Sequence, residues 1–173
     1  MVHTSPIRGD FPSLKLGRMV RYHSTIERDL LYFLDFWQAV TWYREQPMTI
    51  AWFGEDGKRH RYTPDYEIHD GDRKILAECK PVARLDSAHA QQQRRIGQTW
   101  AAENNYHFVT YTDQDLREGH QLANLTLFWR YARLRDTHAS EDILQQVRRE
   151  QQTSVTALCN HLGLLPKQIM PYY

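Results

Sequence analysis

Residues 61–80 of the chain read RYTPDYEIHDGDRKILAECK, and the central sheet is predicted from this stretch. Turn residues at 70–72 separate two strand-like segments. The second segment, residues 73–80, is mostly apolar, so we predict a buried strand there. The period of two along this strand places Glu78 and Lys80 on the same face. Burial penalises charge, so two such groups in an apolar strand indicate a partner or a function.

The neighbouring segments complete a mixed α/β pattern. Hydrophobic period and turn residues predict a helix at 24–37, strands at 48–53 and 58–68 joined by a hairpin turn, a helix at 85–104 and a strand at 107–111. Because the last strand follows the 73–80 strand through a helix, the two should be parallel, with a right-handed crossover. The predicted core is therefore a helix, a three-stranded antiparallel meander, a helix and a parallel strand.

The two ends of the chain are predicted to differ from this core. Residues 1–22 are rich in basic residues and are interrupted by proline and glycine, which predicts an irregular basic arm. Residues 113–173 are predicted to be helical. Within them, residues 154–166 resemble a helix-turn-helix, two short helices joined by a turn that contains glycine. The predicted domains are the arm at 1–22, a central α/β domain at 23–112 and a helical region at 113–173.

Composition indicates an ordinary globular protein, since 41% of the 173 residues are hydrophobic and 25% are charged. No apolar run is long enough to cross a bilayer, and the first residues lack the apolar stretch of a secretion signal. The two cysteines, Cys79 and Cys159, lie far apart, which argues against a disulfide framework. We therefore expect a cytoplasmic protein. The net charge of +1 says little about nucleic acid binding.

A set of charged residues in this domain has the chemistry of a metal-dependent nuclease. Pro64 interrupts the 58–68 strand and could direct Asp65 towards Glu78 and Lys80. Hard oxygen ligands suit magnesium, which takes one or two protein carboxylates together with substrate phosphate oxygens. We predict that Asp65, Glu78 and the backbone carbonyl of Cys79 bind one or two Mg²⁺ or Mn²⁺ ions. Lys80 would orient or help to deprotonate the attacking water and would offset phosphate charge.

Glu27 is open to two interpretations. Residues 24–27 read STIE, which is also a capping box in which the glutamate stabilises the start of the helix. The cap alone is the better explanation of Glu27 in isolation. Asp65 and the Glu78/Lys80 pair likewise have structural explanations, as a turn after proline and as a cross-strand ion pair. The joint occurrence of all four favours a catalytic site made of Glu27, Asp65, Glu78 and Lys80, in which Glu27 is a further metal ligand. A mixed role for Glu27 is the less favoured alternative.

The motifs also carry a family resemblance. Pro64-Asp65 followed by Glu78-Cys79-Lys80 resembles the PD-(D/E)xK nuclease motif, and the order of predicted elements is similar to the restriction-endonuclease-like fold. Further runs are more specific, namely FPSLK at 11–15, YHSTIERD at 22–29, EQP at 45–47 and RYTPD at 61–65. Together they resemble TnsA, the endonuclease subunit of heteromeric cut-and-paste transposases, over residues 8–112.

This resemblance implies a metal-dependent enzyme that cuts the 5′ strands at transposon ends. A separate integrase-fold transposase, TnsB-like, would cut the 3′ strands, and a TnsC-like AAA+ ATPase would be a further partner in a bacterial cytoplasm. Glu27, Asp65, Glu78 and Lys80 occupy the family's catalytic positions, although some members carry glutamine at the position of Glu78. Family members usually continue into a winged-helix domain, so we expect residues 113–173 to be a partial version of it.

Five polar side chains are predicted to contact DNA: Lys15, Arg18, Gln92, Arg94 and Arg95. On the predicted helix at 85–104, a solvated polar face is the favoured explanation for at least half of Gln91, Gln92, Arg94 and Arg95. Two other functions stay open from the sequence. One is a stand-alone nuclease of the same fold in DNA repair or defence, and the other is a non-catalytic subunit that binds DNA or the transposase.

Overall fold

A computed structural model of the chain describes residues 7–54 and 57–132, in which strands and helices are mixed. The strands are β1 (Gly9–Ser13), β2 (Arg18–Tyr22), β3 (Val40–Glu45), β4 (Ile50–Phe53), β5 (Arg59–Tyr62), β6 (Tyr66–Asp70), β7 (Arg73–Cys79) and β8 (His107–Tyr111). The helices are α1 (Thr25–Phe36), α2 (Ala88–Glu103), α3 (Asp113–Arg117) and α4 (Gln121–Ala132), with a 3₁₀ turn at Val82–Arg84. The predicted helix-turn-helix at 154–166 and the other predicted helices beyond 132 lie outside the described residues. No helix among those described is long and apolar enough to span a bilayer.

A four-stranded sheet with the order β3-β6-β7-β8 forms the centre of the domain. β6 pairs antiparallel with both β3 and β7, whereas β7 and β8 run parallel, with Glu78 opposite Thr110. The parallel pairing predicted for residues 107–111 is therefore confirmed. Because β7 and β8 run in the same direction, the end of β7 that carries Glu78 lies beside the end of β8.

The first strand of the meander was predicted in the wrong place. It is β3, which directly follows α1, and the predicted strand at 48–53 instead pairs as β4 with β5 in a separate two-stranded sheet. The predicted strand at 58–68 is also divided, since β5 ends at Tyr62 and β6 begins at Tyr66. Pro64 lies between them, and proline has no N–H to continue a ladder. The β4–β5 hairpin is therefore an insertion between two neighbouring strands of the central sheet.

The irregular arm predicted at the N-terminus is likewise corrected, because β1 and β2 form an antiparallel hairpin. Gly17 has a φ of +63° next to the start of β2, a conformation that glycine adopts at low cost. Phe11 and Val20 are buried, and the Tyr66 hydroxyl donates a hydrogen bond to the Arg21 carbonyl at 3.2 Å. The hairpin therefore contributes to the hydrophobic core.

Helices cover the two faces of the central sheet. On one face, Tyr43 is fully buried and its hydroxyl donates to Asp35 of α1 at 2.6 Å. On the other face, Leu76 is buried in a cluster that includes Ile96 and Trp100 of α2. Period two places Glu78 and Lys80 on the Leu76 side. The charged pair is therefore on the face that α2 covers.

Candidate active site

The backbone of Asp65 is held between two strands of the central sheet. Its amide donates to the Ala77 carbonyl of β7 at 3.0 Å, and its carbonyl accepts from the Gln46 amide, just after β3, at 2.8 Å. Asp65 therefore extends the ladder by one residue before β6 begins. The predicted break at Pro64 is confirmed, and it allows the chain to leave β5 and enter the sheet at Asp65.

Glu78 and Lys80 contact each other as the strand period predicts. The Lys80 Nζ lies 2.8 Å from the Glu78 Oε1, and both side chains are largely buried. The Lys80 amide donates to the Tyr111 carbonyl at 2.9 Å, which keeps the chain paired with β8 beyond the end of β7. An ion pair at the end of a buried strand is thus fixed by backbone hydrogen bonds.

Asp65 joins this pair through the backbone of β7. Its Oδ2 accepts a hydrogen bond from the Cys79 amide at 2.7 Å. Burial, followed by the negative charges of Glu78 and Glu27, raises the pKa of Asp65 well above its usual range, while the Cys79 amide and Lys80 oppose the rise. The structure therefore brings Asp65, Glu78, Lys80 and Glu27 into one electrostatic environment.

Glu27 takes part in a helix cap as well. Its amide donates to the Ser24 hydroxyl at 3.1 Å, and its Oε2 accepts from the His23 amide at 2.8 Å. The carboxylate therefore bonds one residue further back than the Ser24 amide of a standard capping box. Because the charge of the same carboxylate also contributes to the raised pKa of Asp65, Glu27 lies near the site while it forms the cap, and its role in catalysis remains a prediction.

Two residues that sequence reasoning missed hold the charged pair in place. The buried Tyr62 hydroxyl donates to the Glu78 Oε2 at 2.7 Å, and the Lys80 Nζ donates to the Gln93 Oε1 at 3.2 Å. Burial and the Glu78 charge raise the pKa of Tyr62, so this phenol remains a donor. A sequence signal existed for Gln93, since it falls on the helical stripe of Ala90 and Gly97, which are buried. No comparable signal distinguished Tyr62 from other strand aromatics.

The donor set suits a hard divalent cation. Asp65 and Glu78 supply carboxylate oxygens, and magnesium needs only one or two of these from a protein. The repulsion that raises the Asp65 pKa is the kind that a bound cation offsets. Across residues 7–54 and 57–132, no group of three His, Cys, Asp or Glu side chains is arranged to hold a metal ion. The fit therefore depends on two carboxylates and backbone oxygen, and the metal contact of Glu27 remains a prediction.

Comparison with known families is consistent with this geometry. Residues 38–113 match the family model described as the TnsA-like endonuclease N-terminal domain. This part of the chain belongs to the TnsA-like endonuclease family. The match contains Asp65, Glu78 and Lys80 and begins after Glu27, and it supports nuclease activity in general terms. No curated protein matches the chain.

Two predicted DNA contacts, Lys15 and Arg18, have partners within the chain itself. The Lys15 ammonium donates to the carbonyls of Leu34, Trp37 and Val40 at 2.5–2.6 Å, and burial lowers the pKa of Lys15. Arg18 binds both carboxylate oxygens of Glu45, at 3.1 and 2.9 Å. These bonds account for both cations without DNA, so their DNA contacts remain predictions.

The other three predicted DNA contacts lie on α2 of the TnsA-like domain and are exposed. Arg94 lines a small recess together with Glu78 and Lys80. Gln92 and Arg95 line a groove of about 410 Å³ between α2 and the β4–β5 hairpin. Arg94 therefore lies beside the candidate site, whereas Gln92 and Arg95 lie beside the hairpin.

Proposed function

We propose that the chain is a magnesium-dependent DNA endonuclease that cuts the 5′ strand at transposon ends, as the nuclease subunit of a heteromeric cut-and-paste transposase. The observation that carries the proposal is the meeting of Asp65, Glu78 and Lys80 within a TnsA-like endonuclease domain. The core is proposed to be restriction-endonuclease-like. The order α1, the β3-β6-β7 meander, α2 and parallel β8 supports this assignment.

Each residue has a role that follows from its contacts. Asp65 and Glu78, with the Cys79 carbonyl, would hold one or two Mg²⁺ or Mn²⁺ ions. Bound at this place, the metal would supply positive charge for the phosphate oxygens and lower the pKa of a coordinated water. Lys80 would orient the attacking water and offset charge that develops on the phosphate. Glu27 would add negative charge at the edge of the site while it caps α1.

The hydrogen bonds around the charged pair would fix the geometry needed for hydrolysis. Tyr62 holds one oxygen of Glu78, and Gln93 holds the ammonium of Lys80. Small displacements of reacting groups are costly in such reactions, so positioning of this kind supports catalysis. The net charge of +1 is low for a protein that binds DNA mainly through phosphate contacts. We therefore propose that partner proteins, an integrase-fold transposase and an AAA+ ATPase, select the transposon end.

A nicking assay on transposon-end DNA tests the proposal. The wild-type chain would be compared with Asp65→Ala and Lys80→Ala, with Mg²⁺ or with a chelator, and with or without the partner transposase. We expect both variants to lose roughly 10²-fold or more of the cutting rate. Asp72→Ala, which removes an exposed carboxylate from the turn before β7, is the matched control and should cut normally.

The outcomes separate the candidate functions. Equal cutting rates for the wild type and both site variants would show that Asp65 and Lys80 are not catalytic residues. Cutting of unrelated DNA without a transposase, at the same rate, would instead indicate a stand-alone nuclease. A wild-type chain that binds the partner but never cuts under any of these conditions would identify a non-catalytic subunit.

A further inference from the structure

We propose that the outward face of the β4–β5 hairpin binds the phosphodiester backbone of double-stranded DNA next to the active site. This outer hairpin face consists of Ala51, Phe53, Arg59 and Arg61. The inference rests on the proposed function and deepens it, because it names a surface that would hold the substrate duplex while the carboxylate site acts on it.

The hairpin register separates its side chains into two sets. Ile50 pairs with Tyr62, and both are buried in a cluster with Leu76 of the central sheet. The residues between them alternate to the opposite side, so Phe53 lies opposite Arg59, and Ala51 opposite Arg61. All four residues of the outer hairpin face are exposed. The inner set therefore anchors the hairpin and leaves the outer hairpin face available.

The side chains on the outer hairpin face are exposed and are not part of the hydrophobic core. Phe53 is 76% exposed, more than any other large hydrophobic residue in the described part of the chain. Arg59 and Arg61 flank it, and neither has a carboxylate partner among residues 7–54 and 57–132. Six other arginines of the described residues do form such pairs, for example Arg18 with Glu45. Two unpaired guanidinium groups beside an exposed ring indicate a binding surface.

Phe53 connects the outer hairpin face to a groove on the α2 side of the hairpin, because Phe53 also lines that groove. The groove of about 410 Å³ between the hairpin and α2 is lined by Trp52, His60 and Arg95, among others. Arg94, the residue before Arg95 in α2, lines a recess together with Glu78 and Lys80. A phosphate backbone could pass from the outer hairpin face by way of Phe53, Arg95 and Arg94 to the site. Glu55 and Asp56 stand between β4 and β5 in the sequence, so binding would depend on the positions of the individual arginines and not on the net charge of the segment.

Charge complementarity favours DNA over a protein partner. Guanidinium groups bind phosphate in a bidentate manner, and arginine is the residue most suited to this contact. A single exposed ring can pack on deoxyribose or enter a base step, as apolar wedges do in minor grooves. A protein interface of stable size would be expected to present a larger apolar centre than one phenylalanine.

The hairpin is also coupled to the catalytic residues through its inner side. Tyr62 is the last residue of β5, and its hydroxyl bonds to Glu78. Asp65 follows three residues later. A duplex held by Arg59 and Arg61 would thus be fixed relative to both carboxylates, because the same short segment carries the DNA contacts and leads into the site.

Binding of a fluorescent transposon-end duplex to the full chain tests the inference. Affinity would be measured by anisotropy between about 50 and 200 mM salt, without divalent cation. Arg59→Ala/Arg61→Ala should weaken binding roughly 10-fold or more and reduce the slope of log K against log salt by about 2, since each phosphate contact contributes about 0.9. Phe53→Ala should weaken binding without changing the slope, and Arg59→Lys/Arg61→Lys should keep the slope.

The control removes two cations from the other end of β7. Arg73→Ala/Lys74→Ala should leave affinity and slope unchanged, and a thermal melt would show that each variant is folded. Wild-type affinity and slope in Arg59→Ala/Arg61→Ala would overturn the inference, as would a wild-type chain that does not bind duplex DNA at low salt. Loss of transposase binding with intact DNA binding would also overturn it and assign the face to a protein. Because the readout is binding, a chain that binds DNA through the hairpin but does not cut contradicts only the proposed nuclease.

Discussion

Tyr62 illustrates how a single hydroxyl can connect two parts of the molecule. Its ring belongs to the hydrophobic cluster beneath the hairpin, whereas its oxygen reaches Glu78 at 2.7 Å. The strand period predicted the Glu78/Lys80 contact because that contact is local. It could not predict Tyr62, since the bond joins residues 16 positions apart in different sheets and depends on how the hairpin packs.

Removal of this hydroxyl should slow cutting more than it weakens the fold. We expect Tyr62→Phe to reduce the turnover rate roughly 10-fold to 100-fold, the usual effect of losing a group that orients a metal-binding carboxylate. The affinity for DNA should be unchanged. The dependence of the rate on Mg²⁺ concentration should shift to higher concentrations, which a purely structural role would not cause.

Tyr43→Phe is the matched control for this prediction. Tyr43 is buried on the opposite face of the sheet, where its hydroxyl bonds to Asp35 and Ser13. Its loss should lower the melting temperature and leave the turnover rate and Mg²⁺ dependence unchanged. If Tyr62→Phe behaves in the same way, Tyr62 is a structural residue and does not position Glu78.

Among the elements, those with local signals were predictable and those that depend on pairing were not. The helix from residue 25 has a Ser24 cap and a broad apolar face, and β7 has an apolar run between a turn and a proline. β3 follows α1 without glycine or proline to mark its start, so it was missed. Both β3 and β4 are rich in aromatic and β-branched residues. Which of them pairs with β6 is decided by tertiary packing, which propensity does not encode.

The packing of α2 on β8 gives a test at this scale. A Cβ added at Gly97 would lie 2.2 Å from the Phe108 Cε2, and Phe108 itself packs in the cluster around Leu76. We expect Gly97→Ala to destabilise the domain by roughly 1–3 kcal/mol through overpacking. This is the opposite of the gain of about 1 kcal/mol that alanine brings at an exposed helix position. Chemical denaturation would measure the change.

The neighbouring exposed position and a compensating change are the controls. Gln98→Ala should be neutral or slightly stabilising. Phe108→Leu in the Gly97→Ala background should recover part of the loss, because a smaller side chain admits the added methyl group. A stability gain in Gly97→Ala alone would show that the helix does not lie against β8 as closely as the structure has it.

At the scale of the whole molecule, the active site should reduce the stability of the metal-free protein. The pKa of Asp65 is raised, so the folded state holds a proton that the unfolded chain has already lost. Stability from this group is therefore greatest in acid and declines as the pH rises towards the folded-state pKa of Asp65. Asp65→Asn should raise the melting temperature at pH 7–8, by a few degrees if the effect is about 1 kcal/mol. The difference should shrink as the pH is lowered, and Mg²⁺ should stabilise only the wild type.

Glu67→Gln, at a position in β6 two residues after Asp65, provides the comparison of opposite sign. Burial opposes ionisation of Glu67, but hydrogen bonds from His69, Tyr106 and Arg44, each at about 3.0 Å, hold its pKa below the usual range. Its stabilising effect is present above the unfolded-state pKa and is lost as the pH falls through the folded-state pKa. Glu67→Gln should therefore lower the melting temperature at pH 7–8, with a cost of roughly 1–3 kcal/mol, and the cost should fade in acid. If Asp65→Asn lowers the melting temperature at neutral pH, the raised pKa inferred for Asp65 is wrong. If Glu67→Gln raises the melting temperature, burial outweighs the hydrogen bonds that Glu67 accepts.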